Sequence, residues 1–223
     1  MKTITLVAGL LAAASVHANV IDFGIAEPHP TICASDADGS GALIQCSNFD
    51  YLSQTYGDVA GVIDVSYSSV RNAPASMRWW AYDYNSLYGV AWADFDDGNS
   101  QARIELRPLQ PGAVVTLNSF DLGAYVRTTR GTHIRVFEIG GGPALWSYDG
   151  DVGNGNDFTS FAPGVGSANG LWIEFADSAY NVGIDNINYS LRDGNGQVPE
   201  PSIYALLSAG LLAAAAVARR RRS

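Results

Sequence analysis

The densest group of side chains suited to holding a ligand is the stretch MRWWAYDYNSLYGVAW, with three tryptophans and three tyrosines between Trp79 and Trp92. On a strand, Trp80, Tyr82 and Tyr84 share parity and would form an aromatic strip on one face, suited to stacking on the apolar faces of sugar rings. Trp79, Trp80 and Tyr82 are therefore the candidate carbohydrate contacts. Aromatic residues also fill sandwich cores, and the sequence leaves both readings open. Hydrolysing a glycan would instead need two carboxyl groups flanking a cleft. Glu105, Glu138 and Glu174 all fall in strand-like runs. Glu138 shares parity with Ile134 and Val136, an inward placement that is costly unless paired. No set of nucleophile, base and orienting group can be assembled from these residues, and the expectation is a non-catalytic protein.

Other chemistries are short of parts. The only cysteines are Cys33 and Cys46. One disulfide between them would contribute about 3 kcal/mol by restricting the unfolded chain. Two cysteines cannot build a thiolate zinc site, and the histidines are only His17, His29 and His133. Aspartates are plentiful, 17 against five glutamates, and Asp favours turns and oxygen-ligated cation sites. Asp36, Asp38 and Ser40 alternate as at the start of a calcium loop, yet the twelfth position is Ser47 rather than glutamate. Two denser clusters follow: Asp94, Asp96, Asp97 and Asn99, then Asp149, Asp151, Asn154, Asn156 and Asp157. Crowded carboxylates repel unless a cation or solvent intervenes, so calcium and a solvated loop are the two readings of each. Residues 19–198 hold 21 acidic residues, eight arginines and no lysine, a formal charge of −13. Such a surface repels nucleic acid and anionic lipid headgroups.

The elements that must position these residues are strands. In DVAGVIDVSYSS, Ile63, Val65 and Tyr67 take one parity and Asp64 and Ser66 the other. ARIELRP repeats this with Ile104 and Leu106 against Arg103, Glu105 and Arg107. AVVTLNSFDLGAYV, THIRVFEI, ALWSYDG, GLWIEFAD and YNVGIDNINYSL continue it, separated by turn-forming runs such as GGGP and DGDVGNGN. Seven or more strands without intervening helices predict an all-β fold, an antiparallel sandwich or jelly roll in one domain over residues 19–191.

Both ends read as targeting segments. Lys2, an apolar stretch over residues 4–14 and small residues before Asn19 predict a signal peptide, residues 1–18, cleaved after Ala18. At the other end, residues 192–198 form a flexible linker, and residues 202–218 carry no charge and end on four arginines at 219–222. As a helix those 17 residues would reach about 26 Å, barely a transmembrane span. The arginines would hold the C-terminus in the cytoplasm. The order Pro199, Glu200, Pro201, apolar run and terminal arginines resembles the PEP-CTERM sorting signal of Gram-negative, biofilm-forming bacteria. That resemblance implies an exosortase, a membrane transpeptidase, as partner. It also implies a transient stay in the inner membrane, removal of the tail, and delivery to the cell surface or the extracellular polysaccharide.

The body carries a looser resemblance. YGDVAGVIDVSY, VTLNSFDLGAY and VGIDNINYSL are similar to the ectodomain that recurs in PEP-CTERM proteins, whose last strand reads like that of galactose-binding-like jelly rolls and carbohydrate-binding modules. The resemblance implies a structural calcium ion between the first and last strands, with Asp185 at the matching position and Asp22 as its neighbour. Three roles stay open at this stage: a structural matrix protein, a carbohydrate-binding module and a polysaccharide-active enzyme.

Overall fold

Alternation of apolar and polar residues becomes alternation of buried and exposed ones wherever it is sustained. In the computed structural model, which describes residues 17–24 and 28–192, strands β5 (Ile63–Ser69) and β8 (Ser100–Pro108) bury every second side chain along most of their length. They join β10 (Arg130–Glu138), β11 (Trp146–Val152) and β14 (Leu171–Asp177) in an antiparallel sheet of order β11-β10-β14-β8-β5.

The second sheet has ten strands. Its path is β12 (Thr159–Phe161), β9 (Val114–Ala124), β15 (Val182–Arg192), β7 (Val90–Trp92), β6 (Arg78–Trp80), β4 (Tyr51–Leu52), β2 (Cys33–Ala34) and β3 (Leu43–Ile44). The short β1 (His17–Ile21) also pairs with β15, and β13 (Val165–Ser167) with β9. β1 starts two residues before the expected mature N-terminus, and β15 ends on the first residue of the expected linker. The rest of the signal peptide, the linker, the sorting triplet Pro199, Glu200 and Pro201, the helix 202–218 and the arginines lie outside the described residues. Among the described residues no helix is long and apolar enough to cross a membrane.

One apolar core lies between the sheets. Val65, Tyr67, Ile104, Ile134 and Phe175 from the first meet Leu117, Phe120, Ile184, Ile187 and Tyr189 from the second, all essentially sealed from solvent. The Cys33–Cys46 disulfide forms, with a Cα–Cα distance of 5.2 Å. It brackets the turn holding Asp36 and Asp38. There the Asp38 carboxylate accepts bonds from the Ser40 hydroxyl at 2.7 Å and the Ser40 backbone N–H at 2.9 Å, and these hold its carboxyl below the usual range. The turn thus satisfies its own carboxylate, as an Asx turn does.

The other candidate carboxylates are dispersed in the same way. Asp94 takes Arg78, Tyr51 and Asn72, while Asp97 takes Arg130. Asp149 takes His133 and Arg135. Among the described residues no three His, Cys, Asp or Glu side chains gather to hold a metal ion. On the outer face of the five-stranded sheet, Glu174 holds Arg103 at 2.6 Å and Gln101 at 2.9 Å, and Glu105 accepts the Trp172 indole N–H at 2.6 Å. Glu138, expected to point inward, is half-buried instead and accepts a bond from the Asn169 amide. It keeps its register opposite the buried Leu171 but is the last residue of β10, so it sits at the end of the sheet, where one side stays open.

Candidate functional site

Strand β15 changes partners midway. Ile184 pairs with Ala91 of β7, whereas β1 takes over from Ile187 onward. Between them the alternation slips: Ile184 and Ile187 both enter the core, three residues apart rather than two. The extra residue makes a bulge, with Asn186 in the left-handed region at φ 52°. Bulging places Asp185 and Asn186 together on the outer side of the sheet, where a continuous strand would show one residue.

The gap is closed by the chain leaving β1. The backbone N–H of Phe23 donates to Asp185 Oδ1 at 2.9 Å, and that of Gly24 donates to Asp22 Oδ1 at 2.8 Å. Asp185 is only 4% exposed, and burial pushes its carboxyl up to about 8, with the charges of Asp22 and Asp121 adding to the rise. The N–H groups of Phe23 and Asn186 work the other way without overcoming it. Asn186 is steadied by Asp121, which accepts a bond from its amide at 2.9 Å and another from Ser160 at 2.6 Å.

Over this floor runs a loop built from the aromatic stretch. β6 ends at Trp80, and the chain then turns at residues 84–87, with the Leu87 N–H donating to the Tyr84 carbonyl. The loop seats in a notch made by Gly123 and Gly183, which face each other across β9 and β15. A Cβ on Gly123 would stand 2.3 Å from the Tyr84 carbonyl oxygen, and one on Gly183 would stand 2.6 Å from Val90. Asn85 pins the loop from beneath: its buried amide donates to the carbonyls of Thr128 and Gly155 and accepts the Ala124 N–H.

The result is a depression of about 260 Å³. Asp22, Asp185 and Asn186 line it together with Ser86, and two aromatic rings stand beside them: Tyr88, 51% exposed, and Phe158, 36% exposed. The two residues expected to hold calcium, Asp22 and Asp185, thus meet in one site. A calcium ion asks for six to eight oxygens. These two carboxylates, one of them already engaged by the Phe23 N–H, supply too few to define its cage alone.

The expected aromatic strip forms only in part: Trp80 and Tyr84 line one hollow, apart from the depression, and Tyr82 does not join them. Trp79 points into the core, fully buried, and its indole N–H donates to the Phe23 carbonyl at 2.7 Å. Trp80 faces the opposite way, because neighbours on a strand alternate. Beyond Trp80 the parity argument lapses because the strand has ended. Tyr84 is buried, and Tyr82 packs edge-on against Tyr88 with ring centroids 6.3 Å apart. Of Trp79, Trp80 and Tyr82, none lines the depression. Tyr88, Phe158 and Asn186 are not among the candidates that the sequence offers. The three-residue step between Ile184 and Ile187 was the available signal for the bulge, whereas nothing local marked Phe158.

Residues 197–222 match the PEP-CTERM protein-sorting motif. That motif marks the chain as a substrate of exosortase-type sorting and hence for export through a membrane-anchored step. No curated protein matches the chain. Among solved structures it is similar to a GH26-CBM35 β-(1,4)-mannanase from Podospora anserina, at 17% identity over 61% of this chain and 28% of that one, with a TM-score of 0.35. It is also similar to an exo-β-1,3-galactanase from Phanerochaete chrysosporium, at 15% identity over 68% of this chain and 31% of that one, with a TM-score of 0.33. A family 29 carbohydrate-binding module from Piromyces equi is 15% identical over 63% of this chain and 97% of its own, with a TM-score of 0.26. The chain therefore spans about a third or less of the two enzymes, and likeness at this level says nothing about activity.

Proposed function

We propose that this is an exported, non-catalytic surface protein that contacts extracellular polysaccharide through the depression over the β15 bulge. The observation that carries the reading is the pairing of the exposed Tyr88 and Phe158 rings with the Asp22, Asp185 and Asn186 floor. A pyranose has an apolar C–H face and a rim of hydroxyls, so a site for it combines aromatic surface with hydrogen-bonding groups. The acidic balance of the body favours neutral or cationic glycans over anionic ones. Retention of exopolysaccharide from the producing cell on the purified ectodomain tests this. Tyr88→Ala and Phe158→Ala should each weaken retention about fivefold, the equivalent of ~1 kcal/mol per ring. Undiminished retention in both variants, or none in the parent, refutes the site.

A second reading, polysaccharide hydrolysis, is favoured by one observation. Burial holds the Asp185 carboxyl protonated near neutrality, a second carboxyl, that of Asp22, lines the same depression, and a raised acid with a second carboxyl nearby is the pairing a glycosidase uses. Release of reducing ends from labelled exopolysaccharide, lost in Asp185→Asn, would support it. Absence of turnover in the parent protein leaves binding alone.

A further inference from the structure

A second hollow, of about 140 Å³, opens beyond Tyr84. Six aromatic side chains line it: Phe49, Trp80, Tyr84, Trp92, Tyr125 and Tyr180. Asn181 is the remaining lining residue, and no charged side chain takes part. The rings do not lie flat. Phe49 and Trp80 meet at 89° with centroids 4.7 Å apart, Trp80 and Tyr125 at 77° and 5.5 Å, and Trp92 and Tyr180 at 82° and 5.0 Å. The lining rings are thus set steeply to one another, unlike the single flat platform on which a sugar ring stacks.

Two features separate this hollow from ordinary core packing. Phe49 adopts φ 76°, a left-handed conformation that is a true outlier for a bulky side chain, while leaving 49% of its surface exposed. Its backbone is clamped there: its N–H donates to the Trp79 carbonyl at 3.1 Å, and its carbonyl accepts the Arg78 guanidinium. Strain of this kind persists only where the surroundings enforce it, and here it holds an apolar ring at a mouth instead of burying it. The second feature is Trp92, which is 2% exposed and whose indole N–H has no acceptor among the described residues. Trp92 and Tyr84 belong to a small buried cluster with Leu87 and Val90, and because buried donors are almost always satisfied, the unmet indole N–H marks the place where that cluster leaves a group open.

The choice of guest follows from shape and charge. A cavity near 150 Å³ accommodates a guest about as large as benzene. Aromatic faces carry negative quadrupole density, and a box of them attracts a compact organic cation. The chain's net charge of −9 draws cations toward it, and both arginines bonded to carbonyls of the lining residues are paired, Arg78 with Asp94 and Arg130 with Asp97. From ring geometry, size and charge together, we infer that the Phe49–Trp80 hollow binds a quaternary ammonium group.

Tetramethylammonium and choline are the probes, titrated into the intact chain in non-ionic detergent while tryptophan fluorescence is followed. Both should saturate, and the uncharged isostere 3,3-dimethylbutan-1-ol should bind about tenfold more weakly or not at all. Phe49→Leu keeps apolar bulk but removes the π face, and with Phe49→Ala it should lower affinity about three- to tenfold, whereas Tyr88→Ala should leave it unchanged. Equal binding of the uncharged isostere, full affinity in Phe49→Leu, or no saturation by either cation overturns the inference. Because Tyr88 lines only the other site, loss of polysaccharide retention there and loss of ammonium binding here are read independently.

Discussion

In the five-stranded sheet, β5 and β8 keep their alternation and the outer face is tied off by its own ion pairs, whereas in the ten-stranded sheet β15 breaks its alternation at Asp185 and Asn186. The regular face satisfies itself: Arg103, Glu174, Gln101, Glu105 and Trp172 are partners of one another. The irregular face is covered by a loop instead of by cross-strand pairs, and both hollows flank that loop. A regular ladder leaves no concavity, because every outward side chain has a neighbour at fixed spacing. A bulge and a glycine notch create one by adding a residue in one place and removing side chains in another.

Changing a glycine in each sheet tests that contrast most strongly. Gly123→Ala drives a Cβ onto the Tyr84 carbonyl and should cost about 3 kcal/mol in denaturant unfolding, with loss of polysaccharide retention as the loop lifts. Gly131→Ala on β10 meets nothing closer than 3.5 Å and should stay within about 0.5 kcal/mol of the parent. Equal effects would show that the notch does not position the loop.

The next effect is in pH. Asp185 has a folded pKa raised from 3.8 to about 8, so the folded state holds its proton more tightly than the unfolded chain between those values. This contribution is fully present below pH ~4 and is lost as pH rises toward 8. Asp185→Asn mimics the protonated form, should flatten the fall, and should leave the variant more stable than the parent above pH 8. A parallel fall in both proteins would sink the assignment. Calcium addition is a second arm: were an ion to sit between Asp22 and Asp185, it would raise the melting temperature of the parent but not of Asp185→Asn, and an unchanged parent melt removes calcium from this site.

The smallest effect belongs to the regular face. Glu174→Gln weakens the bond to Arg103, whose side chain is 32% exposed against 12% for Glu174, and should cost about 1 kcal/mol or less, diminishing with salt. Retention and ammonium binding should both be untouched.

Much of the fold was legible because strand alternation is a local property. Ile63, Val65 and Tyr67, or Ile104 and Leu106, announce their burial from spacing alone. The disulfide followed from there being only two cysteines. The site was legible only in fragments. Asp22 and Asp185 line one depression, but their aromatic neighbours Tyr88 and Phe158 come from segments 70 residues apart, and no local pattern relates them. The strip of Trp80, Tyr82 and Tyr84 is broken at Tyr82 for a definite reason: parity holds only while the strand lasts, and β6 stops at Trp80, so Tyr84 rejoins Trp80 through the loop and not through strand alternation.

By itself, then, the sequence determined the all-β class, the acidic surface, the disulfide and the sorting motif at the C-terminus, since each depends on composition or on residues close together in the chain. Tertiary structure alone decided which aromatic rings enter the core and which line a hollow. That outcome depends on where a strand ends, where a bulge adds a residue, and which distant glycines leave room for a loop to settle.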